Sequence, residues 1–340
     1  MDLQKEKIAL LTGGYTPERG ISFKSALNVA EKLDRKRFEV YLIYIVPEGW
    51  YYESEGGVRH AINRHDFSLA LPQGIVHFDV AFICIHGVPG ENGCIQGYLE
   101  LTGIPYTSCR QQAAALTMNK FFTKAAVSHL PGLHIARSVI INAGSSALEE
   151  LRGAGLRYPV FIKPNTGGSS IGTAKAANEE EAWAALDTAF DVDYSGQIIV
   201  EEYIEGTEYS VGAFLRDGAV EVLPPSEVIS EREFFDFDAK YGSSSPVDIT
   251  PGRIAGPALD ELRTLVSAVF RALDCHGVVR IDFIQERVSG RFFFLEINTI
   301  PGQTDSSFIP KQLRAAGFDV SAFFSQLIDE AYRLVPKITV

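Results

Sequence analysis

The stretch from Arg280 to Gly302 reads RIDFIQERVSGRFFFLEINTIPG and contains two apolar runs. The runs flank Val288–Gly290, a short segment with the composition of a hairpin loop. Both runs also carry polar side chains, which a strand buried on both faces would not contain. The pattern therefore predicts a β-hairpin with one apolar face and one polar face.

The register of this hairpin decides which side chains share the polar face. Pairing that is symmetric about Ser289 places Asp282 opposite Glu296. Two residues further along, it places Arg280 opposite Asn298, so that all four side chains lie on one face. The other face, which is predicted to join the core, contains Ile281, Phe283, Leu295 and Ile297. A shift of one residue would exchange the two faces.

The polar face has the composition of a cation site. Two facing carboxylates repel each other unless a positive charge lies between them. Ligands that are all oxygen atoms favour a hard divalent ion. We therefore expect Asp282, Glu296 and Asn298 to bind Mg²⁺ or Mn²⁺. The alternative is a solvated strand face with alternating charges.

Composition sets limits on the class of protein. The chain has 340 residues, enough for about two or three domains. Its hydrophobic content of 46% and charged content of 22% are ordinary for a globular protein. The net charge of −12 disfavours a nucleic-acid partner, because phosphate contacts need clustered Lys and Arg.

The cysteines and the N-terminus predict a cytoplasmic location. The four cysteines form no C-x-x-C pair, which argues against a zinc site, and so few in a long chain fit a reducing compartment. The apolar run near the N-terminus is too short for a signal peptide. No segment approaches the ~20 apolar residues of a membrane helix, so no membrane partner is expected.

Strands and helices alternate over the first 110 residues. Strands are predicted at Lys7–Gly14, at residues 38–45 and at Val80–Gly87, and a helix at Ser22–Lys32. This alternation predicts an open parallel sheet, whose ligands collect at the carboxyl ends of the strands.

Two loops follow strands at that edge. GGYTPERGIS follows the first strand and contains Glu18, and His86 opens HGVPGENG after the third strand. These side chains are candidates for a ligand site. Two alternatives remain open. Glu18 could be an ordinary charge at a helix N-terminus, and His86 could have a capping or core role.

The remainder of the chain divides into two further units. The central unit is predicted to contain a helix over 115–130, two strands joined by a glycine loop over 158–176, a helix over 179–190 and a strand from 197. The last unit contains further strands, the loop FFDFDAKYGSSSPVDITP, a helix over 257–273, the hairpin and a helical C-terminus. The predicted domains are an N-terminal α/β substrate-binding domain, 1–110, a small central domain, 111–201, and a C-terminal catalytic domain, 202–340.

The segment KPNTGGSSIG, Lys163–Gly172, is a candidate phosphate-binding loop. It lies between two predicted strands, so it is neither a Walker A motif nor a dinucleotide fingerprint. A glycine hairpin can nevertheless cover phosphates with N–H and Ser hydroxyl donors, and Lys163 adds a positive charge. A surface hairpin is the alternative.

The segment IIVEEYIEGTEYSV places acidic residues at the end of an apolar strand. Glu201 and Glu202 are candidates for contact with an adenine edge, and Glu208 for contact with ribose hydroxyls. Lys120 and Lys240 are isolated lysines beside apolar residues. A solvated turn and surface lysines are the alternatives.

Taken together, these segments resemble the ATP-grasp enzymes, and specifically the D-alanine:D-alanine ligase family. The resemblance covers essentially the whole chain. GGYTPERGIS, HGVPGENG, TMNK, IKPNTGGSSIG, EYIEGTEYSV, FFDFDAKY, RIDF and LEINTIPGQTDSSFIP occur in the order and spacing of the family. It implies an ATP-grasp fold of three domains, a homodimer, and a ligase that makes D-alanyl-D-alanine for peptidoglycan through an acyl-phosphate.

The resemblance also implies a role for each residue of the site. The residues implied to bind D-alanine are Glu18, His86, Arg280, Gly302, Ser307 and Phe308. The residues implied to bind ATP are Lys120, Lys163, Ser170, Glu201, Glu202, Glu208 and Lys240. Two metal ions are assigned to Asp282, Glu296 and Asn298. The catalytic set is Glu18, Ser169, Tyr241, Arg280 and Ser307. Within it, Glu18, Ser169 and Tyr241 would link the first-substrate loop to a mobile loop that closes over the site.

Some positions depart from the family pattern. They are Gly167, Gly168, Val279, Ile300, Gln303 and Phe308. The departures leave the reaction class unchanged and bear on substrate preference. The alternatives are a ligase that accepts D-lactate or another D-amino acid, a ligase for another carboxylate, and a catalytically silent nucleotide-binding regulator. Tyr241 disfavours D-lactate as the acceptor.

Overall fold

The computed structural model describes residues 5–144, 146–193, 195–229 and 247–334. Two predicted site residues, Lys240 and Tyr241, lie outside the described residues, as does most of the loop that was predicted to close over the site. The described residues form three β-sheets with helices packed against them.

The first sheet belongs to the N-terminal part of the chain. Its elements are β1 (Glu6–Gly13), α1 (Arg19–Lys32), β2 (Phe38–Val46), β3 (Gly49–Glu53), β4 (Arg59–Asn63), β5 (Ser68–Leu71), β6 (Gly74–Val76), β7 (Val80–Ile83) and α2 (Cys94–Thr102). The strand order is β6-β5-β4-β3-β2-β1-β7. β1 is parallel to β2 and β7, as predicted, whereas β3 to β6 are antiparallel. The predicted open parallel sheet is confirmed for β2, β1 and β7. The sheet continues with antiparallel strands, because short loops join only antiparallel strands.

The second sheet lies in the central part. The elements here are α3 (Gln111–Met118), α4 (Lys120–Val127), β8 (His134–Ile135), β9 (Ser138–Asn142), α5 (Ala147–Gly153), β10 (Val160–Pro164), β11 (Ala174–Ala176), α6 (Glu179–Val192) and β12 (Gln197–Glu202). β11, β10, β12 and β9 form an antiparallel sheet in that order. The single helix predicted over 115–130 is wrong. Asn119 interrupts it, because its side chain accepts the N–H of Phe122 and caps α4.

The third sheet belongs to the C-terminal part. The elements are β13 (Gly206–Arg216), β14 (Ala219–Val222), β15 (Ser226–Ile229), β16 (Val247–Ile249), α7 (Pro257–Ala272), β17 (Val278–Glu286), β18 (Phe292–Asn298), α8 (Phe308–Ala315) and α9 (Val320–Leu334). The strand order is β16-β15-β13-β17-β18-β8, and β14 pairs with β13. α3 and α4 pack against this sheet. The predicted division into domains 1–110, 111–201 and 202–340 stays a prediction.

The predicted hairpin is β17–β18, and its register is confirmed on the polar face. Asp282 pairs with Glu296, and Arg280 pairs with Asn298. A β-bulge follows Asp282, so that Phe283 pairs with Phe294. The predicted core position of Leu295 is therefore wrong: the extra residue moves Phe294 into the core and leaves Leu295 half-buried.

The N-terminal sheet is packed against the C-terminal helix. Phe82 of β7 meets Phe324 of α9 edge-to-face, with ring centroids 5.8 Å apart. Ala26 and Val29 of α1 belong to the same buried cluster. This shared core holds α1 beside the loop that follows β18. No helix in the described part of the chain is long and apolar enough to cross a membrane.

Candidate active site

One cavity of about 1670 Å³ lies between the three sheets. All predicted site residues that the structure describes line it. They are Glu18, His86, Lys120, Lys163, Ser169, Ser170, Glu201, Glu202, Glu208, Arg280, Asp282, Glu296, Asn298, Gly302, Ser307 and Phe308. Segments far apart in the sequence therefore converge on one space, which is large enough for a nucleotide and a small substrate.

The polar face of β17–β18 forms one wall of the cavity. The Arg280 guanidinium donates to both carboxylate oxygens of Asp282, at 2.9 Å from Nε to Oδ1 and 2.8 Å from Nη2 to Oδ2. Glu296 lies opposite, and its Oε2 is 4.0 Å from Nζ of Lys120. The Asn298 amide is oriented by the Ile300 N–H, which donates to Oδ1 at 2.9 Å.

These oxygen atoms fit a Mg²⁺ or Mn²⁺ ion of the kind that nucleotide enzymes use. Such an ion takes one or two carboxylates from the protein and completes its shell with phosphate oxygens and water. Asp282, Glu296 and Asn298 supply two carboxylates and an amide oxygen on one face. Among the described residues there is no group of three His, Cys, Asp or Glu side chains that could hold a metal ion.

The glycine loop between β10 and β11 reaches across the cavity towards α1. Ser169 and Ser170 adopt positive φ angles of 57° and 56°, which form a tight turn. The Ser169 hydroxyl donates to Oε1 of Glu18 at 2.5 Å. Lys120 holds the other side of the loop by donating to the Gly167 carbonyl at 2.7 Å. The glycine loop is thus bound to the loop that contains Glu18 and to α4.

A buried ion cluster forms the floor of the cavity beside β12. Oε2 of Glu201 lies 2.9 Å from Nζ of Lys163, and Oε1 contacts the ammonium group of Lys124. Burial alone would raise the pKa of Glu201, but the two ammonium groups outweigh it and lower the pKa to about 2. Burial lowers the pKa of Lys124 to about 8, partly offset by Glu201. Glu201 is therefore the buried counter-ion of two lysines.

Sequence reasoning missed Lys124. The sequence did contain an indication of its position, because Lys124 follows Lys120 by four residues and such positions share a helix face. Glu202 also has a structural contact: its Oε1 accepts the N–H of Arg137 at 3.0 Å. The predicted contacts of Glu201, Glu202 and Glu208 with the nucleoside stay predictions.

Glu91 is a second residue that sequence reasoning missed. Its Oε2 accepts the N–H of Gly87 at 2.6 Å. Burial, and then the nearby charge of Glu18, raise the pKa of Glu91 to about 8. The signal was its position in HGVPGENG, the loop already expected to reach the ligand. Glu91 therefore adds a carboxyl group that is neutral at pH 7 to the part of the cavity near Glu18.

His86 is buried and lies between α1 and the loop after β18. The backbone N–H of His86 donates to Oγ of Ser22 at 3.0 Å, and Nε2 of the imidazole ring lies 3.3 Å from Oγ of Ser25. Burial, and then the positive charge of Arg280, lower the pKa of His86 to about 4. The imidazole is therefore neutral at pH 7.

Gly302 and Ser307 lie together at the end of the cavity near α8. A Cβ atom at Gly302 would come within 2.7 Å of Oγ of Ser307, which explains the glycine. The Phe308 ring stacks beside Arg280, whose Cζ is 5.6 Å from the ring centroid. Of the departures from the family pattern, Ile300 and Gln303 are buried behind the cavity wall.

The fold, together with a glycine-rich hairpin that faces an acidic sheet across such a cavity, places the chain in the class of ATP-grasp ligases, to which its structural neighbours belong. Residues 7–109 match the family model described as D-ala D-ala ligase N-terminus, and residues 127–329 match D-ala D-ala ligase C-terminus. The chain belongs to the D-alanine–D-alanine ligase family, whose members are ATP-dependent, ADP-forming ligases. The predictions of fold class, family and enzyme class are confirmed.

The chain is similar to its relatives over nearly its whole length. D-alanine–D-alanine ligase from Phocaeicola vulgatus is 37% identical over 331 residues, covering 96% of this chain and 100% of the relative. The ligase from Porphyromonas gingivalis is 37% identical, covering 96% and 98%. Among solved structures, VanG D-Ala:D-Ser ligase from Enterococcus faecalis is 31% identical with a TM-score of 0.85, covering 96% and 100%. D-alanyl-alanine synthetase A from Vibrio cholerae is 28% identical with a TM-score of 0.86, covering 97% and 99%.

Proposed function

We propose that this chain joins two D-alanine molecules into D-alanyl-D-alanine for peptidoglycan synthesis and converts ATP into ADP and phosphate. The observation that carries the proposal is the single cavity in which the acidic hairpin face, the glycine loop and the Glu18 loop meet. Each of these parts corresponds to one requirement of the reaction.

The nucleotide would lie between the glycine loop and the third sheet. Lys120 and Lys163 would contact its phosphates, the loop with Ser170 would cover them, and Lys240 would add a further contact. Acidic residues of β12 and β13 would face the adenosine; these are Glu201, Glu202 and Glu208. Asp282, Glu296 and Asn298 would hold two Mg²⁺ or Mn²⁺ ions, which when bound neutralise the phosphates.

In the first step, Glu18 would hold the ammonium group of one D-alanine, with His86 behind the site. The substrate carboxylate attacks the γ-phosphorus atom of ATP, an O–P bond forms and ADP leaves. Phosphoryl transfer of this kind depends on positioning and on charge neutralisation. The resulting acyl-phosphate needs protection from water, which a closed loop carrying Tyr241 would provide together with Glu18 and Ser169.

In the second step, the amine of the other D-alanine attacks the acyl carbon. A C–N bond forms, the amine loses a proton, and the tetrahedral intermediate expels phosphate. Arg280 and the N–H of Gly302 would stabilise the oxyanion in that intermediate. Ser307 and Phe308 would place the carboxylate of the second D-alanine at the start of α8.

The cellular setting is part of the proposal. A cytoplasmic location agrees with the four cysteines, all of which are free thiols. A homodimer is the assembly implied by the family resemblance. Size-exclusion chromatography with light scattering tests the assembly, and a monomer at micromolar concentration would contradict it.

The test of the reaction is phosphate release from ATP and Mg²⁺, with the product identified by mass. We expect release with D-alanine alone and formation of its dipeptide, and no dipeptide with L-alanine. Mixtures of D-alanine with D-lactate and with D-serine test the acceptor, and we expect the dipeptide of D-alanine to predominate. ATP binding without any dipeptide from D-alanine would contradict the proposal.

A further inference from the structure

Helix α1 carries a row of polar side chains on the face that meets His86 and the loop after β18. Ser22, Ser25 and Asn28 are three residues apart and therefore lie along one face of the helix. Ser22 and Ser25 are fully buried, in a position where an amphipathic helix normally carries apolar residues. Buried hydroxyl groups need hydrogen-bond partners. Ser22 bonds the Glu18 carbonyl and the backbone N–H of His86, and Ser25 bonds the His86 ring and the loop after β18.

Gln303 is the residue of that loop on which the row converges. The Gln303 N–H donates to Oγ of Ser25 at 3.1 Å. The Asn28 side chain donates from Nδ2 to the Gln303 carbonyl at 2.5 Å. Both backbone polar groups of Gln303 are therefore bound by α1.

The contacts around these residues fix their orientation. Lys32 donates to Oδ1 of Asn28 at 2.8 Å and to Asp305 at 3.1 Å, so the amide of Asn28 turns its Nδ2 towards the loop. A serine hydroxyl can accept one hydrogen bond and donate another. Ser25 can thus accept from Gln303 while it donates to the neutral imidazole of His86.

The side chain of Gln303 acts on the preceding peptide. Its Nε2 donates to the Pro301 carbonyl at 3.1 Å. The Pro301–Gly302 peptide is trans and planar, so its C=O and N–H point in opposite directions. Gln303 is buried behind the cavity wall, whereas Pro301 and Gly302 line the cavity. Holding the carbonyl on the Gln303 side therefore turns the Gly302 N–H the other way.

We propose that Gln303 is a positioning residue, itself held by Ser25 and Asn28, that aims the Gly302 N–H at the reacting carbonyl. The inference rests on the proposed function, in which this N–H stabilises the oxyanion. It also assigns α1 a second role: the N-terminal end of the helix presents Glu18 to the first substrate, and its middle holds the oxyanion donor. Displacing a preorganised donor lowers the rate of the step in which the charge develops.

The test compares Gln303→Met with the wild type. Methionine has a similar volume and no N–H donor, so the core remains filled. Dipeptide formation and phosphate release are measured separately. We expect kcat for the dipeptide to fall about tenfold, the KM for ATP to stay unchanged, and more phosphate to be released per dipeptide, because amine attack is slowed while the acyl-phosphate still forms.

Two further variants separate positioning from damage to the fold. Asn28→Ala removes the contact with the Gln303 carbonyl without lowering helix propensity, and we expect kcat to fall about threefold. Leu27→Ala, at the exposed neighbouring position of α1, is the matched control and should leave kcat unchanged. Equal effects of Asn28→Ala and Leu27→Ala would overturn the proposal.

Amide hydrogen exchange, followed by mass spectrometry, tests the positioning without any reaction. We expect residues 302–304 to exchange faster in Gln303→Met and in Asn28→Ala than in the wild type, and the other segments to be unchanged. Unchanged exchange at 302–304, or faster exchange throughout the chain, would overturn the inference. A wild-type chain that forms no dipeptide would contradict the proposed function instead, and the exchange result would still decide the role of Gln303.

Discussion

Two acidic groups face the same cavity and differ in how their charge is balanced. On the hairpin, the Asp282 carboxylate is held by one guanidinium, and the Glu296 side chain keeps 30% of its surface exposed. On β12, Glu201 keeps only 4% of its side-chain surface exposed and is enclosed by two ammonium groups. Glu296 presents oxygen atoms to a ligand, whereas Glu201 is neutralised within the protein.

The difference shows what each group can contribute. A carboxylate at the cavity wall can exchange a protein contact for a metal ion at small cost in stability. A buried carboxylate between two lysines cannot, because its removal leaves uncompensated buried charge. We therefore expect substitutions on the hairpin to affect activity, and substitutions at Glu201 to affect stability.

The largest expected effect follows Glu296→Gln. The change removes a charged metal ligand and keeps the shape of the side chain, so Mg²⁺-dependent turnover should fall about 100-fold or more while the melting temperature stays close to that of the wild type. Steady-state ADP formation and thermal melting measure the two quantities. Glu286→Gln, at the other end of the same hairpin, is the control and should keep wild-type turnover. Near-normal turnover in Glu296→Gln would contradict the metal role.

Arg280→Lys should lower kcat by a similar or slightly smaller factor, again about 100-fold. An ammonium group cannot donate to both oxygens of Asp282 and also reach an oxyanion, as a planar guanidinium can. The measurement is kcat at saturating ATP and D-alanine. Turnover equal to that of the wild type would remove Arg280 from the oxyanion site.

Glu201→Gln should act mainly on stability. Lys124 and Lys163 would lose their buried counter-charge, and the free energy of unfolding should fall by about 3–5 kcal/mol. Urea denaturation at pH 7 measures the change, and Glu296→Gln serves as the comparison. If Glu201→Gln were as stable as Glu296→Gln, the division between the two acidic groups would be wrong.

The contribution of Glu201 to stability also depends on pH. The pKa of Glu201 is lowered from its usual 4.5 to about 2, so its contribution is present above pH 4.5 and is lost as the pH falls towards 2. In the wild type, the free energy of unfolding should therefore decrease over this range. Glu201→Gln should show a smaller decrease, and equal slopes in the two proteins would contradict the assignment.

A pH effect of the opposite sign is expected at Glu91. Its pKa is raised from 4.5 to about 8, so its contribution is present below pH 4.5 and is lost as the pH rises through 8. Glu91→Gln should therefore gain stability relative to the wild type between pH 5 and pH 9. Unfolding free energies at these two pH values measure the change. A constant difference between the two proteins would show that Glu91 does not titrate in this range.

The two regions also differ in how far the sequence could predict them. The polar face of the hairpin depends on local alternation, so the pairing of Asp282 with Glu296 followed from the positions of the residues. The bulge that displaces Leu295 adds one residue to one strand and has no signal in that alternation. The break at Asn119 was visible only as a capping residue within a helical run.

The Glu201 cluster depends on tertiary contacts. Lys124 and Glu201 are 77 residues apart, and no periodicity connects them. The same holds for the contacts of Asn28 and Ser25 with Gln303, at separations of 275 and 278 residues. Sequence reasoning could name residues of suitable chemistry, but it could not pair them, because their neighbours are determined by the packing of separate sheets.

The most direct test of the central claim is Mn²⁺ binding, followed by electron paramagnetic resonance in the presence of a non-hydrolysable ATP analogue. The wild type and the control variant Glu286→Gln should bind Mn²⁺ equally tightly with the analogue. Glu296→Gln should bind it at least about tenfold more weakly. Mn²⁺ binding by Glu296→Gln equal to that of the wild type would contradict the claim that the hairpin face is the metal platform of this ligase.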